Sequence, residues 1–161
     1  RPGDLLAVSG PIGDGWLGLQ AASGALDSPA LAARYRLPTP RTDLRDRLRA
    51  HARAAADVSD GLLADAGHLA MASGCAVRID LDRLPLSPEA AAWLAAQADR
   101  GEALARLASG GDDYQIVCAM APDAPAVADL TVVGVFEAGQ GVRACHGGVA
   151  IATPRLGWTH G

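Results

Sequence analysis

Apolar positions along this chain change period repeatedly, and the changes outline strands alternating with helices. Residues 4–9, Asp-Leu-Leu-Ala-Val-Ser, form a short apolar run that predicts a strand. Gly10, Pro11 and Gly13 break it before a small-residue helix over about 14–25. Ser28-Pro29 opens a second, short helix with proline at its first position, and 37–40, Leu-Pro-Thr-Pro, must be extended or turned because each proline restricts its predecessor. Residues 43–53 alternate charges around Leu44 and Leu48, the pattern of a partly exposed helix.

Residues 54–58 then read as a short buried strand. Leu62, Leu63, Ala66, Leu69 and Ala70 fall at helical spacing up to the stop signal Ser73-Gly74. A strand over 75–81, a turn at Leu84-Pro85-Leu86 and a helix from Ser87-Pro88-Glu89 to about 98 follow, with Trp93 expected in the core. A short helix over 102–107 leads through a Gly-Gly-Asp-Asp segment into a strand at 115–120. Further strands are expected at 130–136, 142–145 and 149–152, joined by glycine-rich turns. Such irregular interleaving predicts an α+β (mixed α/β) fold, a mixed β-sheet covered by helices, rather than a doubly wound one.

At 161 residues, half of them hydrophobic, the chain fits a single domain that buries about two-thirds of its unfolded surface. Aromatic residues are only 4%, so Ala, Leu and Val must build the core. All 14 basic residues are arginine, which excludes a Schiff-base lysine, a P-loop lysine and the strand lysine of a protein kinase. A net charge of −4 with scattered arginines gives no basic stripe, so no nucleic-acid partner is expected. Cys75, Cys118 and Cys145 are odd in number and widely spaced, a pattern of core residues rather than of disulfides or a zinc knuckle. No apolar stretch approaches the roughly 20 residues of a membrane span, so no membrane association and a reduced, cytoplasmic setting are expected. The opening Arg-Pro-Gly-Asp lacks an initiating Met and runs directly into a strand, which reads as a fragment cut at a linker.

The chemistry concentrates in Ala56-Asp57-Val58-Ser59-Asp60-Gly61-Leu62-Leu63. Two carboxylates three residues apart, with a hydroxyl and a glycine, stand where a strand turns into a helix. Asp57 and Asp60 are candidate ligands of a hard cation such as magnesium, and Ser59 with the first amides of the helix is a candidate anion contact. The competing reading is structural: Ser59 or Asp60 caps the helix and Asp57 merely ends a strand. A phosphate cradle at Gly10–Gly13 is a weaker candidate, since its glycines do not follow a dinucleotide or Walker spacing. His68 reads as a surface or hydrogen-bonded structural histidine. Ser109-Gly110-Gly111-Asp112-Asp113-Tyr114 again sets acids beside flexible backbone.

Four segments together resemble the C-terminal half of the thiamine-monophosphate kinase family, within the superfamily of aminoimidazole ribonucleotide synthetase, selenophosphate synthetase and the hydrogenase maturation factor E. They are Gly3-Asp4-Leu5-Leu6-Ala7-Val8-Ser9-Gly10 with Gly18-Leu19, Pro40-Arg41, Asp57-Val58-Ser59-Asp60-Gly61-Leu62 through Gly67-His68, and Ser109-Gly110-Gly111-Asp112-Asp113-Tyr114. The Ser-Asp pair after Asp57 and the run Arg-Ile-Asp-Leu-x-x-Leu-Pro-Leu-Ser at 78–87 distinguish the kinase from its relatives. The resemblance implies transfer of the ATP γ-phosphate to thiamine phosphate, giving thiamine diphosphate, with several Mg2+ ions.

By position it implies Asp57 and Asp60 as metal ligands, Ser59 as a nucleotide contact, and Asp112 and Trp158 as substrate contacts. Family members usually carry Glu where Asp112 stands, one methylene longer. The resemblance further implies that 1–161 is one C-terminal domain, that an N-terminal ATP-binding domain is absent from this chain, and that the full-length enzyme is a homodimer. The fragment alone is then expected to fold with little or no activity. Two alternatives stand beside it: another ATP-dependent enzyme of the superfamily, of the hydrogenase maturation, selenophosphate or purine synthesis type, or a non-catalytic anion-binding or assembly domain.

Overall fold

In the computed structural model, which describes residues 1–153 and 156–157, the opening apolar run is strand β1 (Leu5–Val8). It has no polar face because both of its faces are covered. Leu6 and Val8 enter the main core, Ala7 enters a second cluster on the opposite side, and all three are fully buried. Six more strands follow: β2 (Ala52–Asp57), β3 (Ala76–Asp80), β4 (Ile116–Met120), β5 (Thr131–Glu137), β6 (Gly141–His146) and β7 (Val149–Ala150). They form one sheet in the order β2-β4-β1-β5-β3-β6-β7. The β3–β6 pair is parallel and the other pairings are antiparallel, so the sheet is mixed, as the sequence predicts.

The helices are α1 (Asp14–Ala22), α2 (Pro29–Arg36), α3 (Arg45–His51), α4 (Leu62–Ala72), α5 (Pro88–Ala95) and α6 (Arg100–Ser109). Leu62, Leu63, Ala66 and Ala70 of α4 and Leu104 and Ala108 of α6 close over Leu6, Val8, Val77, Ile79, Val117 and Val133. On the other face, Leu48, Val127 and Leu130 pack over Ala7, Cys118 and Met120. A smaller cluster joins α1, α2, α5 and α6 through Leu17, Leu31, Ala90 and Leu107. Trp93 packs there, its ring 5.4 Å from that of Trp16 in an edge-on pair, in line with its expected core role. None of the helices among the described residues is long and apolar enough to cross a membrane.

Ser28 and Ser87 cap α2 and α5 with their hydroxyls, as their Ser-Pro signatures indicate. Helix α6 starts two residues before its expected position because Asp99 caps it, accepting the Glu102 N–H at 2.9 Å. The expected buried strand at 54–58 is corrected: β2 runs from Ala52 to Asp57 along the edge of the sheet, alternately half-buried and exposed. Its run of alanines is as compatible with a half-open edge as with a buried centre, and pairing with β4 on one side alone leaves it at the edge.

Candidate functional site

Strands β1 and β2 flank β4 and both run antiparallel to it, so their C-terminal ends and the N-terminal end of β4 share one end of the sheet. Three sequence motifs therefore converge: the turn after Ser9, the Asp57–Gly61 loop and the Ser109–Tyr114 loop. The last two are bonded through their backbones. Val58 N donates to Gln115 O at 2.7 Å, Tyr114 N to Val58 O at 2.8 Å, and Asp112 N to Ser59 O at 2.9 Å. Ser9 Oγ accepts the Ile116 N–H at 2.8 Å and donates to Gln115 Oε1 at 3.0 Å, which ties in the first motif. The approach is close enough to require glycine, since a Cβ on Gly111 would lie 2.4 Å from Ser59 O.

The loops that carry Asp57, Ser59, Asp60 and Asp112 thus come to one place. Asp57 is exposed at the end of β2, while Ser59, Asp60 and Asp112 are half-buried. Trp158 lies outside the described residues. Asp112 and Tyr114 both have positive φ, 66° and 50°, and the Tyr114 hydroxyl donates to Asp112 Oδ1 at 3.1 Å. Left-handed backbone at two non-glycine positions holds this loop in a strained form beside the site. The hydrogen bond to Asp112 raises the Tyr114 pKa above its ordinary value.

Both helices that point at the site begin on a glycine with positive φ, Gly13 for α1 and Gly61 for α4, and neither has a side chain at its N-cap to accept a hydrogen bond. Two buried aspartates stand at these helix starts: Asp113 reaches an amide of the first turn of α1, and Asp65 takes the three amides that lead into α4. Asp65 Oδ2 accepts from Ser59, Asp60 and Gly61 N–H at 3.0, 3.1 and 3.2 Å. Asp113 accepts from Gly13 N at 2.8 Å and Gly15 N at 2.7 Å. Burial raises the Asp65 pKa against these donors, and burial pushes that of Asp113 up to about 7.

Two expectations change as a result. At the suggested Gly10–Gly13 cradle the Gly13 N–H is already given to Asp113, as is that of Gly15 just beyond it. Neither Ser59 nor Asp60 is the N-cap of α4; Gly61 is. Sequence reasoning missed Asp65 and Asp113, although Asp65 four residues beyond Gly61 and the doubling of Asp after Gly-Gly were visible signals. His68 is exposed, with Nδ1 3.6 Å from Asp65 Oδ1, in keeping with its expected structural role.

Asp60, Asp65 and His68 place ligand-type atoms within 4.8 Å of one another. Three N–H donors already converge on one Asp65 oxygen, so this carboxylate is occupied with the loop. Asp57, Ser59 and Asp60 carry only oxygen donors, the chemistry that suits a hard cation such as magnesium.

Beside Asp112 opens a cleft of about 250 Å³ lined by Pro11, Asp14, Arg34, Tyr35, Thr39 and Gln115, among others. Asp14 is buried there, accepting from Ser87 Oγ at 2.6 Å and paired with Arg34. Arg41, from the Pro40-Arg41 motif, donates to the Ser9 carbonyl and to Gln115 Oε1 and forks onto Asp43. That guanidinium anchors the 37–42 segment along the cleft.

Residues 1–147 match the family described as AIR synthase related protein, C-terminal domain. A thiamine-monophosphate kinase of Caulobacter vibrioides is 55% identical across the whole of this chain, which covers 49% of that protein. The crystal structure of thiamine-monophosphate kinase from Stenotrophomonas maltophilia matches 89% of this chain and 50% of its own, at 38% identity and TM-score 0.74. AaThiL complexed with AMPPCP and TMP matches 99% of this chain and 52% of its own, at 34% identity and TM-score 0.81. The chain spans about half the length of such relatives.

Proposed function

Since this chain belongs to the AIR synthase related protein C-terminal domain family, in its thiamine-monophosphate kinase form, we propose that it supplies one wall of a site that transfers the ATP γ-phosphate to thiamine phosphate. The other wall comes from the half of its relatives' length that this chain does not cover, and the whole enzyme works as a cytoplasmic homodimer. The Asp112 N–H to Ser59 O bond, 2.9 Å long, carries this reading, because it makes the acid-rich loop and the Gly-Gly-Asp loop a single unit.

On this reading Asp57 and Asp60 hold Mg2+, Ser59 contacts the nucleotide, and Asp112 meets thiamine phosphate, with Trp158 as a second substrate contact. AMPPCP and TMP in the complex of AaThiL support ATP and thiamine phosphate as the ligands. Magnesium, when bound, offsets the repulsion between the two phosphates. The chain's own residues align the reactants, which is the main demand of a loose phosphoryl-transfer transition state. No protein base is needed, because the accepting phosphate oxygen is already ionised. The buried, unpaired thiols of Cys75, Cys118 and Cys145 agree with a reduced setting.

The deciding assay is ATP-dependent formation of thiamine diphosphate by the 161-residue chain and by a polypeptide that carries it behind the uncovered half. Turnover by the longer polypeptide alone is expected. Absence of turnover from both rejects the kinase reading, and robust turnover by the 161 residues rejects the two-wall site.

A further inference from the structure

Ser59 sits between two peptide planes that are each held at both ends. In the first, the Val58 carbonyl accepts Tyr114 N at 2.8 Å while the Ser59 N–H donates to Asp65 Oδ2 at 3.0 Å. In the second, the Ser59 carbonyl accepts Asp112 N at 2.9 Å while the Asp60 N–H donates to the same Asp65 oxygen at 3.1 Å. One face of the loop is pinned by the Gly-Gly-Asp segment and the other by a residue of the helix that the loop starts.

Asp65 is the fourth residue of α4 and its side chain is 7% exposed. Its acceptor oxygen serves the loop before the helix, and an ordinary cap would come from the N-cap residue itself. Gly61 has no side chain to do so, and its Cβ position, 2.7 Å from Ser109 O, admits none. A carboxylate buried in the helix instead holds the loop that leads into it, and charge-assisted bonds to three successive amides fix that loop more firmly than a neutral acceptor would.

We propose that Asp65 is a positioning residue: together with the backbone of Asp112 and Tyr114 it clamps the peptide planes around Ser59 and sets how Ser59 and Asp60 meet their ligands. The assignment of those ligands rests on the kinase reading; the clamp itself does not.

Two measurements separate the two. Amide hydrogen exchange on the metal-free 161-residue chain should find Ser59, Asp60 and Gly61 protected although they lie outside helix and strand. Asp65→Asn should speed their exchange by about tenfold or more, the loss expected for charged hydrogen bonds, while Val8 and Val117 in the β1–β4 ladder stay as slow as before. Free exchange of the three amides in the unsubstituted chain overturns the clamp, and does so even if the Asn variant fails to fold. Unchanged protection in a folded Asn variant overturns it as well.

The second measurement uses the longer polypeptide, with Mn2+ binding followed by paramagnetic resonance as the metal probe. Asp65→Asn should weaken Mn2+ about tenfold while the KM for thiamine phosphate, set at the cleft, moves less than about twofold. Loss of protection with unchanged Mn2+ affinity leaves Asp65 merely structural and overturns the positioning role. A polypeptide that binds Mn2+ in this Asp65-dependent way yet transfers no phosphate rejects the kinase reading and upholds the clamp.

Discussion

Gly111 carries no side chain because the Ser59 carbonyl oxygen stands 2.4 Å from where its Cβ would be. Gly111→Ala must push one loop off the other, and a loss of about 1–3 kcal/mol is expected from such overpacking. Urea denaturation should show it as a lower midpoint at unchanged m-value. Asp112 lines the cleft, and one of its carboxylate oxygens is held by the Tyr114 hydroxyl, 3.1 Å away. In the longer polypeptide, Tyr114→Phe should change the KM for thiamine phosphate by a few-fold, in keeping with about 0.5–1.5 kcal/mol for one hydrogen bond. Asp112→Ala should raise that KM by about tenfold or more. Equal KM values for all three proteins would remove Asp112 from the substrate contacts.

At the level of elements, α1 and α4 both start on a glycine without a side-chain cap, and a buried aspartate stands at each start. Asp113, from the loop before β4, accepts from Gly13 and from Gly15 in the first turn of α1, whereas Asp65, from within α4, accepts from Gly61 and the two residues before it. Burial holds the Asp113 pKa near 7, against 3.8 for an ordinary Asp. Between those values the folded chain keeps a proton that the unfolded chain has released. The contribution of Asp113 to stability is therefore fully present below about pH 4 and is lost as pH rises through about 7. Paired urea titrations of the native chain and Asp113→Asn should show the difference in midpoint moving in favour of Asp113 from pH 8 to pH 5; a shift the other way would contradict the raised pKa.

For the whole molecule, the sheet order β2-β4-β1 gathers the three motifs, while helices cover one face of the sheet and Leu48 with the 124–130 segment covers the other. The three cysteines report on that core. Cys118 is fully buried and its thiol pKa is pushed up to about 11 by burial, so alkylation at pH 8 should be negligible in the folded chain and appear only on global opening. Rapid labelling of Cys118 without denaturant, followed by mass spectrometry, would show that the core is looser than this packing implies.

Local pattern determined much of this protein. Alternation and run length located the strands, Ser-Pro pairs located α2 and α5, and the acids and glycines of the two loops marked the site, because each depends on neighbours within a few residues. The absence of lysine also narrowed the chemistry before any fold was known. Pairing across the sheet lay beyond such signals. Alanine-rich β2 reads as buried until its place at the edge is known, since alanine fits either setting. The roles of Asp65 and Asp113 required the tertiary structure for the same reason. Amides that a sequence leaves open to an anion are claimed by carboxylates folded against them, in the case of Asp113 and Gly15 across 98 residues of chain, and only the three-dimensional path of the backbone decides which acceptor arrives first.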